Sequence, residues 1–266
     1  MKKILLTIAG YDPTSGAGAI LDINVFQHLG FMGMGIITSL TAQNTKQVSK
    51  VYCPPSKLIL DQYNSLGDDV ELNGIKVGML GCKKNISPVT KILSLNSLIP
   101  RVIDPVFQSS SGTWLLDPAS IPLYIKSIAG KITILTPNAQ EAALITGFRV
   151  KTLKEMERAT ARIYELSQAP CLITGGHFKE ETADLLYDGN NHYVFNNPKI
   201  DARVHGTGCF LSSSLLSYLS RGEAIKQACR LAINKTHSNI KQSVRTGHGQ
   251  NLFSPLHQIG SKTSVK

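Results

Sequence analysis

The segment His205-Gly206-Thr207-Gly208-Cys209-Phe210-Leu211-Ser212-Ser213 sets two glycines at the mouth of an apolar, helix-forming run. Glycines turn the backbone tightly and remove Cβ atoms, so successive N–H groups at a helix N-terminus can converge on an anion. On these residues alone a plainer reading stays open, in which Gly and Thr merely begin a helix and Cys209 is packing. Known signatures narrow the class by exclusion. No GxxxxGK[ST] occurs, and the run from Gly206 has Leu211 where GxGxxG requires its third glycine. A P-loop enzyme and a Rossmann dehydrogenase are therefore disfavoured.

Other chemistry-bearing clusters follow candidate strands. Thr136-Pro137-Asn138-Ala139-Gln140-Glu141 places Asn138 and Glu141 three residues apart on the first turn of a helix. An amide and a carboxylate so placed can hold hydrated Mg²⁺ over a phosphate, or can form a capping box that only starts the helix. Gly10-Tyr11-Asp12-Pro13-Thr14-Ser15-Gly16-Ala17-Gly18 is a glycine-rich turn from strand to helix, with Asp22 one helical turn beyond. Open α/β sheets bind ligands at such turns, although a flexible loop with Asp22 on a solvated face fits equally. Thr41-Ala42-Gln43-Asn44-Thr45 ends the second strand at the same edge, and Gln43 offers a donor and an acceptor suited to the edge of a heteroaromatic ring. Asp104-Pro105-Val106 and Thr174-Gly175-Gly176-His177 end two further strands and are weaker signals.

Positioning these residues requires alternating elements. Strands are expected at Ile4–Ile8, Gly35–Leu40, Ile75–Met79, Val102–Ile103, Ile132–Leu135 and Cys171–Ile173. Helices are expected near 17–29, 56–67, 85–96, 118–129, 138–146 and 152–168, giving βαβ units and a mostly parallel sheet covered by helices. Asp188-Gly189-Asn190-Asn191 signals a hairpin between Asp184–Tyr187 and His192–Phe195. Helices at 207–220 and 222–243 close the domain, the second read as solvated because Lys226, Arg230, Ile233 and Lys241 spread around it. The body is expected over 1–245, followed by a basic, loosely attached tail over 246–266.

The chain has 266 residues, 42% hydrophobic and 17% charged, which suits one large α/β domain and excludes disorder or a fibre. A formal charge of +10 invites a nucleic-acid partner. Its distribution argues otherwise. Beyond Glu223 there is no acidic residue, while 7 Lys and Arg follow, so residues 1–223 hold 21 basic against 18 acidic residues. Nor does the single Trp114 belong to any basic surface interleaved with aromatics. Five cysteines without a CxxC pair point away from a disulfide framework and towards a reducing compartment. No apolar run approaches the length that spans a bilayer, so a cytoplasmic protein with neither a membrane nor a specific nucleic-acid partner is expected.

Across residues 4–213 these clusters, in this order, resemble the hydroxymethylpyrimidine/phosphomethylpyrimidine kinases of thiamine biosynthesis, a ribokinase-like family. The stretches that carry the resemblance are Leu6–Gly10 with Gly16-Ala17-Gly18 and Asp22, Ile37–Thr45, Lys76–Gly81, Asp104-Pro105-Val106, Leu135–Asn138 with Glu141, and His205–Cys209. The Ala-Gln-Asn-Thr and His-Gly-Thr-Gly-Cys pair is the most specific part.

The resemblance implies a three-layer α/β/α sandwich that moves the γ-phosphoryl group of ATP, with Mg²⁺, to 4-amino-5-hydroxymethyl-2-methylpyrimidine, and then makes its diphosphate. It implies that Asp22 and Gln43 hold the aminopyrimidine edge, with Gly10, Ala17 and Met79 shaping the pocket. Asp104 and Glu141 would face the metal, and Asn138, Thr174, Gly175 and His205 the nucleotide. Gly206, Thr207 and Gly208 would form the anion hole. Cys209 would be the proton acceptor, its pKa lowered below about 8.5 by the helix N-terminus. The family often dimerises, so a homodimer is expected. Two family lysines are missing, because Ser110 and Thr174 stand near their places. That loss bears on the second phosphorylation, and it motivates a catalytically weakened, pyrimidine-binding paralogue as an alternative. Pyridoxal or pyridoxine kinase is the other alternative.

Overall fold

The computed structural model describes residues 2–67, 69–178 and 181–254. The elements run β1 (Ile4–Tyr11), α1 (Gly18–His28), β2 (Met32–Gln43), β3 (Val48–Tyr52), α2 (Lys57–Gly67), β4 (Leu72–Val77), α3 (Ile86–Leu95), β5 (Arg101–Ile103) and α4 (Ile121–Ile128). They continue with β6 (Ile134–Leu135), α5 (Ala139–Thr146), α6 (Leu153–Ser167), β7 (Cys171–Phe178), β8 (Glu181–Tyr187), β9 (His192–Pro198), α7 (Thr207–Leu219) and α8 (Ile225–Ile240). The sheet order is β3-β2-β1-β4-β5-β6-β7-β8-β9. From β2 to β7 neighbours are parallel, and β3, β8 and β9 add antiparallel margins.

Strand alternation explains why helices cover both faces. In β1, Leu6 and Ile8 point into a core shared with α3, α4 and α6, whereas Leu5 points into a second core with α1, α7 and α8. The three expected layers are present. β3 escaped prediction because its residues are mostly exposed and show no apolar alternation; as an antiparallel margin it buries little. α8 departs from the solvated helix expected, since Ala228, Cys229, Ala232, Ile233 and Thr236 form a buried stripe at helical spacing.

The tail also departs from expectation. Residues 246–254 dock on the body, and 255–266 lie outside the described residues. Val244 and Leu252 exchange backbone hydrogen bonds of 2.9 Å each way, His205 N–H donates to the Asn251 carbonyl at 2.9 Å, and Gln250 N–H donates to that of Thr45 at 2.9 Å. The Phe253 ring packs on Phe210 with centroids 4.5 Å apart. Backbone pairing and one aromatic contact leave no periodic signature, so a polar, glycine-containing strap reads as a loose tail. Phe253→Ala should lower stability by about 1–2 kcal/mol, given a half-buried ring. Urea denaturation should show a lower midpoint at an unchanged m-value.

Candidate active site

A cavity, partly open to solvent, lies beyond the carboxyl ends of β1, β2, β4, β5 and β6, at the N-terminus of α7. Gly10, Ala17, Gln43, Met79, Asp104, Asn138, Glu141, His205, Gly206, Gly208 and Cys209 all line it, brought together from separate loops. Glycine is required where two loops meet. Gly206 has φ +79, and a Cβ there would stand 1.9 Å from the Gly16 carbonyl oxygen. Gly18 has φ +62, and its Cβ would stand 2.3 Å from the Gly10 oxygen. No side chain caps α7, so its first N–H groups are offered to an anion at the cavity.

Beneath the floor lies a buried charge cluster. Lys76 is fully buried, its ammonium 2.9 and 2.8 Å from the two carboxylate oxygens of Asp22 and 3.9 Å from Asp104. Asp22 also accepts from Thr7 Oγ1 at 2.6 Å and Ser213 Oγ at 2.8 Å. Burial alone would push the Lys76 pKa down, but the negative charge around it, led by Asp22, outweighs that and raises it. This revises the expectation for Asp22. Its carboxylate is spent on Lys76, Thr7 and Ser213 and does not line the cavity.

Cys209 is revised in the opposite sense from its helix position. Burial and the nearby carboxylates of Asp104 and Asp22 push its thiol up to about 12, against the lowering effects of Lys76 and of a hydrogen bond from Gly18 N–H. One helix end does not outweigh desolvation. Asp104 is likewise raised, first by burial and then by Asp22, with Lys76, Ser212 and Cys209 opposing. Glu141 lies well above the ordinary carboxylate range through burial and the charge of Asp104.

Asn138 and Glu141 realise the capping box left open by the sequence. The Asn138 side-chain oxygen accepts from Gln140 N–H and Glu141 N–H at 2.9 Å each, while Glu141 Oε2 accepts from Asn138 N–H at 2.9 Å. Both residues still line the cavity. Two acids sharing a buried space, Asp104 and Glu141, form a hard-oxygen donor set whose charge a divalent cation would relieve. Among the described residues no group of three or more His, Cys, Asp or Glu could hold a metal, so any ion here would draw most of its ligands from water and phosphate.

His205 also departs from its expected nucleotide role. Its Nε2 lies 2.8 Å from Asp12 Oδ2 and 3.2 Å from the Gln43 amide, which occupies that nitrogen. Thr174, Gly175 and Thr207 do not line the cavity. Thr174 N–H donates to the Pro137 carbonyl at 3.0 Å, and Gly175 N–H to Asp184 Oδ1 at 2.9 Å. Among the polar cavity residues to which the sequence reading assigned no site role are Asp12, Lys46, Lys76 and Gln250. Lys76 alone carried a readable signal, a single charge within the apolar strand run Ile75–Met79. Gln250, on the strap, accepts from Ser110 Oγ at 3.2 Å and so ties the C-terminal segment to the loop that carries Ser110.

A family profile described as phosphomethylpyrimidine kinase matches residues 12–254. The hydroxymethylpyrimidine/phosphomethylpyrimidine kinase of Aquifex aeolicus is 34% identical over 252 residues, which covers 94% of this chain and 99% of that protein. Among solved structures, the pyridoxal kinase of Staphylococcus aureus in complex with pyridoxal superposes with a TM-score of 0.88 at 26% identity, covering 96% of this chain and 93% of that one. The phosphomethylpyrimidine kinase of Clostridium difficile superposes with a TM-score of 0.79 at 34% identity, covering 90% and 100%.

Removing the cation from the buried cluster should cost more than removing the whole pair. Lys76→Met should lower stability by about 3–5 kcal/mol, because it strands the Asp22 charge, and Lys76→Met with Asp22→Leu should recover at least half of that. Denaturant titration of the single and double variants measures both values.

Proposed function

The chain belongs to the phosphomethylpyrimidine kinase family, and from that premise we propose that it phosphorylates 4-amino-5-hydroxymethyl-2-methylpyrimidine with ATP, and then the monophosphate, in thiamine biosynthesis. The observation that carries this reading is the cavity itself. It sets a bifunctional amide, Gln43, within the same space as the uncapped N-terminus of α7 and the acidic pair Asp104 and Glu141. A ring with donor and acceptor edges and a polyphosphate can thus be held together. ATP use also agrees with the Staphylococcus aureus pyridoxal kinase, whose structure has been solved with AMP-PCP.

In this reading the ring lies among Gly10, Ala17 and Met79, with its edge on Gln43. The N–H groups of Gly206, Thr207 and Gly208 hold the transferred phosphoryl group. Asp104 and Glu141 would hold Mg²⁺, which supplies charge neutralisation for the phosphates when bound. Thr174 and Gly175 stand further along the sheet edge, as an outer limit to the nucleotide. The site carries few side-chain cations: Lys46 lines the cavity, and Lys76 is committed to Asp22. The unit that acts is the kinase domain over 1–245 together with the strap docked on it, working in the cytoplasm.

Cys209 is then a thiol at rest, and it takes the hydroxymethyl proton only as a relay, its own S–H proton passing at the moment of transfer to the Asp104 carboxylate with which it hydrogen-bonds. Phosphoryl transfer passes through a loose transition state, so the hydroxymethyl oxygen becomes acidic only as its bond to phosphorus forms, and Cys209 needs position more than resting basicity. Cys209→Ala should cut kcat by roughly 10²–10⁴-fold with KM within about threefold. A thiol raised to about 12 stays protonated throughout the accessible range. The pH profile of kcat should therefore have no ascending limb near 8.5, and such a limb, lost in Cys209→Ala, would contradict this role.

Structural likeness to pyridoxal kinase favours a second activity on hydroxymethylpyridines. Mass spectrometry after incubation with ATP, Mg²⁺ and the pyrimidine should show monophosphate followed by diphosphate. A pyridoxal competition assay ranks the two rings, and preference for pyridoxal would overturn the reading.

A further inference from the structure

The most constrained polar group in the cavity is the Gln43 amide, and its orientation follows from its neighbours. Asp12 is a buried residue whose Oδ2 lies 2.8 Å from His205 Nε2. Burial pushes its carboxyl up, but the hydrogen bond from His205 and those from Thr14 outweigh this and hold it below the ordinary value, so it is an acceptor only. His205 Nε2 must therefore carry a proton. A protonated Nε2 has no lone pair left to accept from an NH₂ group. The amide end 3.2 Å away is set as Nε2, which would turn one donor on another, so the amide is assigned the reverse orientation with its oxygen towards His205, oxygen and nitrogen being distinguished only by such networks.

The other end of the amide, set as Oε1, lies 3.1 Å from Thr41 Oγ1, whose single proton can go either to it or to the Tyr11 carbonyl oxygen at 2.9 Å. Given to Tyr11, the shorter contact, it leaves Thr41 Oγ1 able to accept from the NH₂ group of the reversed amide. The Asp12 carboxylate sets the orientation, and Thr41 is compatible with it. What remains of Gln43 for a ligand is one N–H and one carbonyl lone pair. That pattern complements a ring nitrogen adjacent to an exocyclic amino group, and does not complement a 3-hydroxypyridine, whose hydroxyl and ring nitrogen are separated by a substituted carbon.

We propose that Asp12 is a positioning residue for specificity: acting through His205, it locks the Gln43 amide in the orientation that reads an aminopyrimidine edge. The proposal deepens the functional reading above and rests on it for the identity of the ring. The turn of Asp12 with Thr14, whose N–H and Oγ1 both lie 2.8 Å from Asp12 Oδ1, holds the carboxylate in place.

Asp12→Asn tests it, because the amide keeps an acceptor for Thr14 while offering NH₂ to His205, which moves the ring proton to Nδ1 and removes the reason for Gln43 to present its oxygen. The KM for the hydroxymethylpyrimidine should rise roughly tenfold, the scale of one neutral hydrogen bond, with kcat within about threefold. The KM for pyridoxine should stay unchanged or fall. ¹⁵N NMR of histidine-labelled protein, with His205 assigned through His205→Asn, should show a protonated Nε2 in the wild type and a bare Nε2 in Asp12→Asn. A bare Nε2 in the wild type overturns the proposal, as does an unchanged KM for the pyrimidine or an equal loss for both rings. A wild-type enzyme that leaves the pyrimidine unphosphorylated overturns the functional reading instead, and the ring-proton position then still decides whether the lock exists.

Discussion

A buried ammonium shared between two carboxylates sits under everything this protein does at its sheet edge. Lys76 projects from β4 into a fully buried position, where Asp22 from α1 and Asp104 after β5 meet it. Desolvating three charges is costly, and their mutual attraction offsets the cost only if the geometry is kept. Thr7 and Ser213 complete the shell of Asp22, so β1, β4, α1 and α7 are tied at one point. The same cluster sets the chemistry above it. The charge of Asp104 raises Glu141, and Asp104 with Asp22 opposes a thiolate at Cys209. The floor therefore favours a positive visitor beside the acids and a neutral thiol at Cys209.

Above that floor the cavity is built by loops that hold one another. Gly206 lets the α7 turn approach Gly16, His205 reaches Asp12 and Gln43, and the C-terminal strap joins Thr45, Asn251 and the Ser110 loop. A protein of net charge +10 thus presents its ligand with few side-chain cations. In the proposed reading its hold on phosphate would rest on backbone N–H groups and on an ion shared with the substrate, both of which are directional. Ser110 is engaged by the strap, and Thr174 by its backbone to Pro137.

Much of the parallel sheet was legible because buried strands are short apolar runs, as in Ile4–Ile8 and Cys171–Ile173, and because capped helices such as α5 and α6 carry their own start signals. β3 and the strap were not legible. Both are held by backbone hydrogen bonds to neighbours remote in sequence, and neither has a periodic apolar face. The cavity's membership was largely readable from glycine-rich turns at strand ends, but the roles were less so. Asp22 looked like a ligand contact because sequence shows a carboxylate one turn past a glycine loop and cannot show a lysine 54 residues away closing on it. Cys209 looked activated because a helix N-terminus is a local feature, whereas desolvation and two distant carboxylates are not. Asp12 was quoted only as part of a loop, since its meaning depends on a histidine 193 residues on.

The central claim is that one cavity at the carboxyl edge of the sheet receives the pyrimidine and the nucleotide side by side. Isothermal titration calorimetry of the hydroxymethylpyrimidine, in the presence and absence of saturating AMP-PCP with Mg²⁺, tests it most directly. The account predicts one pyrimidine bound per chain in both conditions, with affinity equal or tighter when the nucleotide is present. Mutually exclusive binding of the two ligands would contradict it.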